Sequence, residues 1–200
     1  MSYIDFEWAR AFAKDGGPAY EYSRGKIRQI GRGIDDGRRP LEIDQSLWSR
    51  FAKLDGRSPS ACVEFAHAWG LLTIPAVIGS AVGAEEPLDL WRSEIERVGF
   101  WLRGLSAARV PFGKAKTWVT EIKVGVEMTP VENRLVLSPA NLIDAMLLQL
   151  VQVVTAGASI QTCEQCGEWF AAGGSARRSI AKFCSERCKN RSHYERRAGK

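Results

Sequence analysis

The sequence predicts an α+β protein with a mostly helical body, a small antiparallel sheet and a C-terminal cysteine-rich module. Three observations support this class. Two long segments repeat apolar residues every three or four positions, as helices with a buried face do. A third segment, residues 116–137, alternates in places and is rich in β-branched residues. Four of the five cysteines cluster after residue 162, so we expect a body over residues 1–158 and a small domain over 159–200.

The first 57 residues carry the weakest pattern. Residues 3–13 alternate imperfectly, as a strand would, and the following Gly- and Arg-rich segment predicts loops around one short strand. Gly31 and Gly33 suggest a nucleotide-binding loop, but Asp36 stands where the G-x-G-x-x-G pattern needs its third glycine. We therefore interpret GRGIDDG as a turn.

Two helices are predicted in the middle of the body. Ser58 and Pro59 form an N-cap and first-turn pair ahead of SACVEFAHAWGLL, and Gly70 is expected to end this helix. A longer helix is predicted from Pro87, with Trp91 and Trp101 as core residues. The apolar positions on its buried face are Leu88, Trp91, Ile95, Val98, Leu102 and Leu105.

The rest of the body predicts a hairpin followed by a buried helix. The hairpin covers about residues 116–137, with Pro130 in the turn between its strands. Ser138 and Pro139 then repeat the capping signature ahead of ANLIDAMLLQLVQVVTAG. This segment is apolar almost all round, as a central helix would be, and Gly157 is expected to end it.

Charge is distributed unevenly along the chain, whose net charge is +5. The last 28 residues contain nine Lys or Arg and two Glu, a net +7 that leaves −2 for residues 1–172. Such a block predicts a polyanion-binding module joined to a near-neutral body. The longest uncharged run, residues 70–84, is shorter than the roughly 20 residues of a membrane span, and the N-terminus has no secretion signal. We expect a cytoplasmic protein with no membrane partner.

The four clustered cysteines have the spacing of a metal site. Cys163, Cys166, Cys184 and Cys188 fall as C-x2-C, a gap of 17 residues and C-x3-C. In a reducing cytosol such pairs are typical of metal ligands, and zinc prefers four tetrahedral ligands. Gly167 suits the turn of a zinc knuckle. We predict one structural Zn²⁺ in a treble-clef-like zinc finger, with replacement of one cysteine by His193 as the less favoured alternative.

The residues around the second cysteine pair predict a basic helix. A helix from Cys184 to about Arg197 would place both cysteines and Glu195 on one side and basic side chains over the other. Lys and Arg neutralise phosphates, while Arg and Asn read base edges, so nucleic acid is the predicted partner. The candidate contacts are Lys189, Asn190, Arg191, His193, Arg196 and Arg197 in the helix, with Arg177, Arg178 and Lys182 in the loop before it. Trp169 and Phe170 either stack on bases or, as is commoner, pack the core of the finger or seat it on the body.

The chain is not expected to be an enzyme. Four cysteines close the zinc shell, whereas a catalytic zinc keeps an open position. The zinc-deaminase signature is absent, because Thr162 precedes Cys163 and Ala-Trp follows His67. A zinc-bound nuclease would need a general-base His in the finger, where only His193 is available. We interpret Cys62 as a small core residue and His67 as an ordinary surface or core histidine.

The C-terminal residues resemble the CGNR zinc-finger family of bacterial proteins. The resemblance covers about 38 of the 200 residues, and Lys189 stands where the family name has glycine. It rests on the first cysteine pair, Gly167 to Phe170, the basic loop, Phe183 to Ser185, and Cys188-Lys189-Asn190-Arg191 before a basic tail. In that family the finger lies beside an N-terminal helical domain described as a stress-induced transcriptional regulator. The resemblance implies four zinc-binding cysteines and DNA, in preference to RNA, as the partner.

Two functions are therefore considered. In the first, the protein is a DNA-binding transcriptional regulator whose zinc orders the basic helix, while the N-terminal domain supplies regulation or dimerisation. In the second, it is a protein-interaction or defence-system component whose finger is a structural clip and whose base is incidental or contacts RNA. A protein partner or self-association through the N-terminal domain is compatible with both.

Overall fold

A computed structural model describes residues 8, 10–14, 16–35, 46–74, 83–108, 125–131, 134–173 and 181–199. Its helices and antiparallel strand pairings over these residues confirm the predicted α+β class. The helices are α1 (Leu47–Phe51), α2 (Pro59–Trp69), α3 (Leu88–Ala108), α4 (Leu142–Thr155) and α5 (Glu186–Arg197). The strands are β1 (Arg10–Phe12), β2 (Tyr20–Ser23), β3 (Lys26–Gln29), β4 (Gly33–Asp35), β5 (Glu85–Pro87), β6 (Val126–Val131), β7 (Arg134–Pro139), β8 (Ala158–Thr162) and β9 (Trp169–Gly173).

The chain divides into two compact units. One comprises Met1–Val98 and Lys123–Gln149, and the other comprises Gly99–Ile122 and Leu150–Lys200. The predicted domains over residues 1–158 and 159–200 stay a prediction. None of the helices in the described part of the chain combines the length and apolar character needed to cross a bilayer.

The N-terminal segment contains more strands than the sequence predicts. β2 and β3 form a hairpin around Arg24 and Gly25, whose φ angles of 52° and 80° are the left-handed values that a tight hairpin turn requires. β3 also pairs with β5, and β1 pairs with β4. Because Gly33 begins β4, the predicted turn at GRGIDDG was wrong over residues 33–35. Strands of three or four residues are too short to show a period, and the partners in the β1–β4 and β3–β5 pairs lie far apart along the sequence.

Aromatic rings join α1, α2 and the first turns of α3 in the first unit. Phe51 of α1, Phe65 of α2 and Trp91 of α3 are buried, with ring centroids 5.3 to 6.3 Å apart. Aromatic pairs at such distances contribute about 0.5–1.5 kcal/mol beyond their buried area. The buried position of Trp91 confirms its prediction as core. Trp101, predicted as core, is half-buried, and its ring meets the exposed Phe100 edge-on at 5.9 Å.

The caps of α2 are the predicted ones. The Ser58 hydroxyl accepts a hydrogen bond from the Ala61 N–H at 3.4 Å, and Gly70, at φ 95°, follows the last helical residue. The prediction for α4 was wrong at its start, because Ser138 and Pro139 end β7. A helix cannot begin on residues that a neighbouring strand pairs.

Asn141 caps α4 instead, since its Oδ1 accepts from the Asp144 N–H at 2.8 Å. Gly157 adopts φ 83° just beyond the helix, as predicted. Pro130, placed by the sequence in a turn, lies within β6 opposite Leu135. Among the described residues β6 pairs only with β7, so its other edge needs no N–H donor there. Residues 116–124 of the predicted hairpin lie outside the described residues.

Cys62 and His67 have the structural roles predicted for them. Cys62 is fully buried, and burial raises the pKa of its thiol to about 11, so that the thiol stays protonated and inert at neutral pH. His67 is half-buried, and its Nδ1 accepts from the Ala19 N–H at 3.4 Å. Its ring also packs edge-on against Tyr20, with centroids 5.7 Å apart.

Glu86 of β5 is a carboxylate that is only 1% exposed. One oxygen accepts from the Leu72 N–H and from the Trp91 indole N–H, each at 2.9 Å. The other accepts from the N–H and hydroxyl of Thr73, the latter at 2.7 Å, and from the Ile74 N–H at 3.2 Å. These five bonds satisfy the buried charge and connect residues 71–74 to β5 and to α3.

Glu86→Ala should lower the free energy of unfolding by about 3 kcal/mol, because buried donors on Trp91, Leu72 and Thr73 would lose their acceptor. Glu85→Ala is the matched control. Glu85 neighbours Glu86 in β5, but its carboxylate is partly exposed and pairs with Lys26 and Arg28, so little change is expected. Urea unfolding followed by circular dichroism measures both. Equal losses in the two variants would contradict a special role for Glu86.

Candidate metal centre

The β8–β9 hairpin carries the first cysteine pair. Cys163 follows β8 directly, and its N–H donates to the Glu168 carbonyl at 2.8 Å. Gly167 adopts φ 69° and donates its N–H to the Cys163 carbonyl at 2.9 Å, which closes a tight turn around Cys166. The predicted knuckle turn at Gly167 is therefore confirmed.

The second cysteine pair lies at the start of α5. Ser185, with extended φ −157° and ψ 162°, is the N-cap, and its hydroxyl accepts from the Cys188 N–H at 3.2 Å. The helix thus begins at Glu186, two residues later than predicted. Cys184 precedes the cap and Cys188 lies in the first turn, yet the C-x3-C spacing still brings their Sγ atoms to 3.5 Å.

The four predicted ligands converge on one point. Their Sγ atoms all lie within 4.8 Å of one another, and Cys166 and Cys184 are 3.5 Å apart. Sulfurs about 2.3 Å from a tetrahedral zinc would be about 3.8 Å apart, whereas a disulfide needs about 2.05 Å. The four thiols therefore fit one zinc ion and form no disulfide. Four protein ligands close the shell, as in structural sites.

His193 is not among the ligands. The metal-binding group within the described residues consists of the four cysteines alone. His193 is exposed on α5, where its Nδ1 lies 3.4 Å from Nη2 of Arg196.

A small core supports the metal centre. Cys163, Phe170 and Ala172 are buried together, and Ala181 and Phe183 pack against them. Phe170 therefore packs the finger, the commoner of its two predicted roles, while Trp169 is half-buried. A core of so few side chains is too small to order this segment without the metal.

The thiols differ in how readily they ionise. Burial opposes ionisation of Cys163, but backbone N–H groups of Cys184, Cys166 and Gln165 bond to its sulfur and lower its pKa to about 6. Burial raises the pKa of both Cys166 and Cys184, and the neighbouring thiols raise that of Cys184 further. At neutral pH the metal-free cluster thus presents the Cys163 thiolate, while Cys166 and Cys184 must lose protons when zinc binds.

α5 has an inner and an outer side. Cys188, Ser192 and Glu195 are partly buried, and the helix has no fully buried residue. The candidate contacts in the helix are all exposed. They are Lys189, Asn190, Arg191, His193, Arg196 and Arg197. Lys182 is exposed as well, while Arg177 and Arg178 lie outside the described residues.

Glu195 connects α5 to the knuckle. Its Oε2 accepts from Gln165 Nε2 at 3.0 Å, and its Oε1 accepts from Arg191 Nε at 2.9 Å. The bond from Arg191, and then that from Gln165, hold the pKa of this carboxyl below its usual value. Glu195 thus faces the cysteines, as helical periodicity predicts, and it also orients Arg191.

Two exposed residues of α5 were not among the contacts predicted from the sequence. Arg187 precedes Cys188 and has no ion pair within the described residues, and Tyr194 is 75% exposed. The sequence spacing could have identified both, because residues 187, 191 and 194 recur at helical spacing along one flank. Of these three residues, only Arg191 is among the contacts predicted from the sequence.

Comparisons with known proteins give no relative on which to base an identification. No family model matches the chain, and neither the curated proteins nor the solved structures contain a match. Function therefore has to be argued from the metal centre and the helix that it anchors.

Cys184→Ser should remove most of the bound zinc and unfold residues 163–199 while the body stays folded, since one lost thiolate opens the shell. Zinc per chain is measured by atomic emission and folding by circular dichroism. Cys62→Ala, outside the cluster, is the control and should keep its zinc. Undiminished zinc in Cys184→Ser would refute the ligand assignment.

Zinc binding should release protons and strengthen as pH rises. Because the pKa values of Cys166 and Cys184 are raised, zinc added to metal-free protein at about pH 7 should release at least two protons. Below about pH 6 the Cys163 thiolate also becomes protonated, and affinity should fall further. An indicator dye in weak buffer measures the release. Proton-neutral binding would show that other ligands hold the metal.

Proposed function

We propose that this protein binds nucleic acid through the exposed side of α5 and acts as a DNA-binding transcriptional regulator. The observation that carries the proposal is that basic side chains lie on one side of a helix whose other side is anchored. Cys188 belongs to the metal centre and Glu195 bonds to the knuckle, while arginines and lysine cover the solvent side. We call this solvent side the basic face, formed by Arg187, Lys189, Asn190, Arg191, His193, Arg196 and Arg197.

An anchored helix is suited to a phosphate backbone. Its 12 residues span about 18 Å, and a helix of ordinary diameter enters the major groove of DNA, which is about 12 Å wide. Arginine and lysine neutralise phosphates, and Asn190 adds a group able to read a base edge. Because zinc fixes the helix before binding, little ordering entropy is lost on association.

The resemblance of the finger to the CGNR family supports DNA over RNA and a regulatory role. On this proposal the chain belongs with that family, the N-terminal domain regulates or dimerises the protein, and the protein acts in the cytoplasm. It carries no catalytic function. The closed four-cysteine shell supports that last point, because it leaves zinc no position for a substrate.

The second candidate is a protein-interaction or defence-system component with a structural finger. It is favoured by three exposed or partly exposed ion pairs, in which basic side chains stabilise the fold: Lys182 with Glu164 at 3.1 Å, Lys189 with Glu186 at 3.4 Å and Arg191 with Glu195 at 2.9 Å. Such exposed pairs contribute little and are easily exchanged for phosphate. Arg187 has no ion pair within the described residues. The first candidate therefore accounts for more of the basic face.

Replacing Arg196 and Arg197 together with Ala should weaken binding to duplex DNA and reduce the slope of log affinity against log salt by about 2, since two phosphate contacts are lost. Zinc content should not change, because neither residue contacts the cysteines. Fluorescence anisotropy across a salt series measures the slope.

The control for this pair is Lys53→Ala with Arg57→Ala, which removes the same charge from exposed positions in the first unit. Its affinity and salt slope should match those of the unmodified protein. If removing Arg196 and Arg197 left DNA affinity unchanged, the binding surface would not be α5. If zinc-loaded protein bound neither DNA nor RNA at low salt, the second candidate would replace the first.

A further inference from the structure

Tyr194 is an aromatic ring placed in solvent on a cationic helix. Its side chain is 75% exposed, more than that of any other large hydrophobic residue in the described part of the chain. No hydrogen bond or ring contact involves this side chain among the described residues. By contrast, the exposed Phe100 packs edge-on against Trp101. Tyr194 therefore offers most of its side-chain surface to a ligand.

Cations surround this ring along one flank of the helix. Arg191 lies three residues before Tyr194 and Arg197 three residues after it, so that they are one turn away on either side. Arg187 lies a further turn before Arg191 on the same flank. Arg191 and Arg197 are separated by about 9 Å along the helix axis, with the ring between them.

Arg191 is also held in position. Its Nε donates to Glu195, which is itself bonded to Gln165 of the knuckle, and its side chain is 70% exposed. The described contacts use only Nε, so the two Nη groups remain as donors for an anion. The ring and the nearest guanidinium are thus presented together on a metal-anchored helix.

We propose that this flank binds an unpaired nucleobase, which stacks on Tyr194 while Arg187, Arg191 and Arg197 contact the neighbouring phosphates. The inference rests on the proposed nucleic-acid binding by α5 and adds to the groove contact a site for an unpaired base, in a single strand or in a locally opened duplex. In an intact duplex, neighbouring bases cover both faces of each base, so a tyrosine ring has nothing to stack on. Stacking on exposed aromatic side chains beside cations is how single strands are commonly held.

The test compares strands that differ only in their bases. Zinc-loaded protein is titrated with a mixed-sequence DNA strand, the same strand in RNA, an abasic DNA strand of equal length and charge, and the duplex. Tyr194→Ala should weaken binding to the base-bearing strands by about tenfold and leave the abasic strand unaffected. Tyr194→Phe keeps the ring and should bind within about twofold of the unmodified protein.

A strand containing 2-aminopurine gives a readout that is independent of affinity. Its fluorescence should be quenched at saturation by the unmodified protein and by Tyr194→Phe, but less by Tyr194→Ala. Tyr194→Leu keeps a bulky helix-forming side chain without a π-face and should behave like Tyr194→Ala. Zinc content is measured for each variant. If Tyr194→Ala loses zinc, the comparison of Tyr194→Leu with Tyr194→Phe tests the stacking site.

The outcomes separate this inference from the proposed function. Unchanged binding by both Tyr194→Ala and Tyr194→Leu would overturn the stacking site, as would an equal loss on the abasic strand. Tighter binding of the duplex with no effect of either variant would also overturn it while supporting nucleic-acid binding. Absence of binding to every strand at low salt would refute the proposed function itself. An effect on the DNA strand alone, or on RNA alone, would support stacking and identify the source of the base.

Discussion

Coordination of one zinc ion by four thiolates is the constraint on which the C-terminal segment depends. The sulfurs of Cys163, Cys166, Cys184 and Cys188 lie within 4.8 Å of one another, around a core of only a few buried side chains. Thiols this close repel one another once ionised, so the arrangement is stable only when a cation occupies its centre. The metal therefore replaces the hydrophobic core that this segment lacks.

Within the described residues, the helix that follows is fixed at few points. α5 has 12 residues, none of them fully buried, and a helix of this length is marginal in water on its own. Its first turn is fixed by the Ser185 cap and by Cys188, and its last turn by the Glu195 bond to Gln165. Because the anchors lie along one side, the opposite side is free to carry charge and an exposed ring. Metal binding thus sets the position of the basic face.

The first unit is held by a different kind of interaction. Glu86 gathers five donors from residues 72–74 and Trp91 around a single buried carboxylate, beside the aromatic cluster of α1, α2 and α3. Such a group is costly to bury, and full hydrogen bonding offsets that cost. Its position is set by backbone donors from a segment that precedes it by more than ten residues. No local pattern in the sequence marks it.

Features that depend on near neighbours could be predicted from the sequence alone. The Ser58 cap, the Gly70 and Gly157 helix ends, the turn at Gly167 and the four cysteine ligands all follow from residue type and short spacing, because their physics is local. Tertiary structure alone decided the pairing of β3 with β5, the half-buried position of Trp101 and the burial of Glu86. Each of these depends on partners distant in sequence. The free energy of those contacts exceeds the weak preference of a short segment for one local structure. The exposure of Tyr194 belongs to this second group, because helical spacing alone does not decide whether another part of the fold covers a tyrosine.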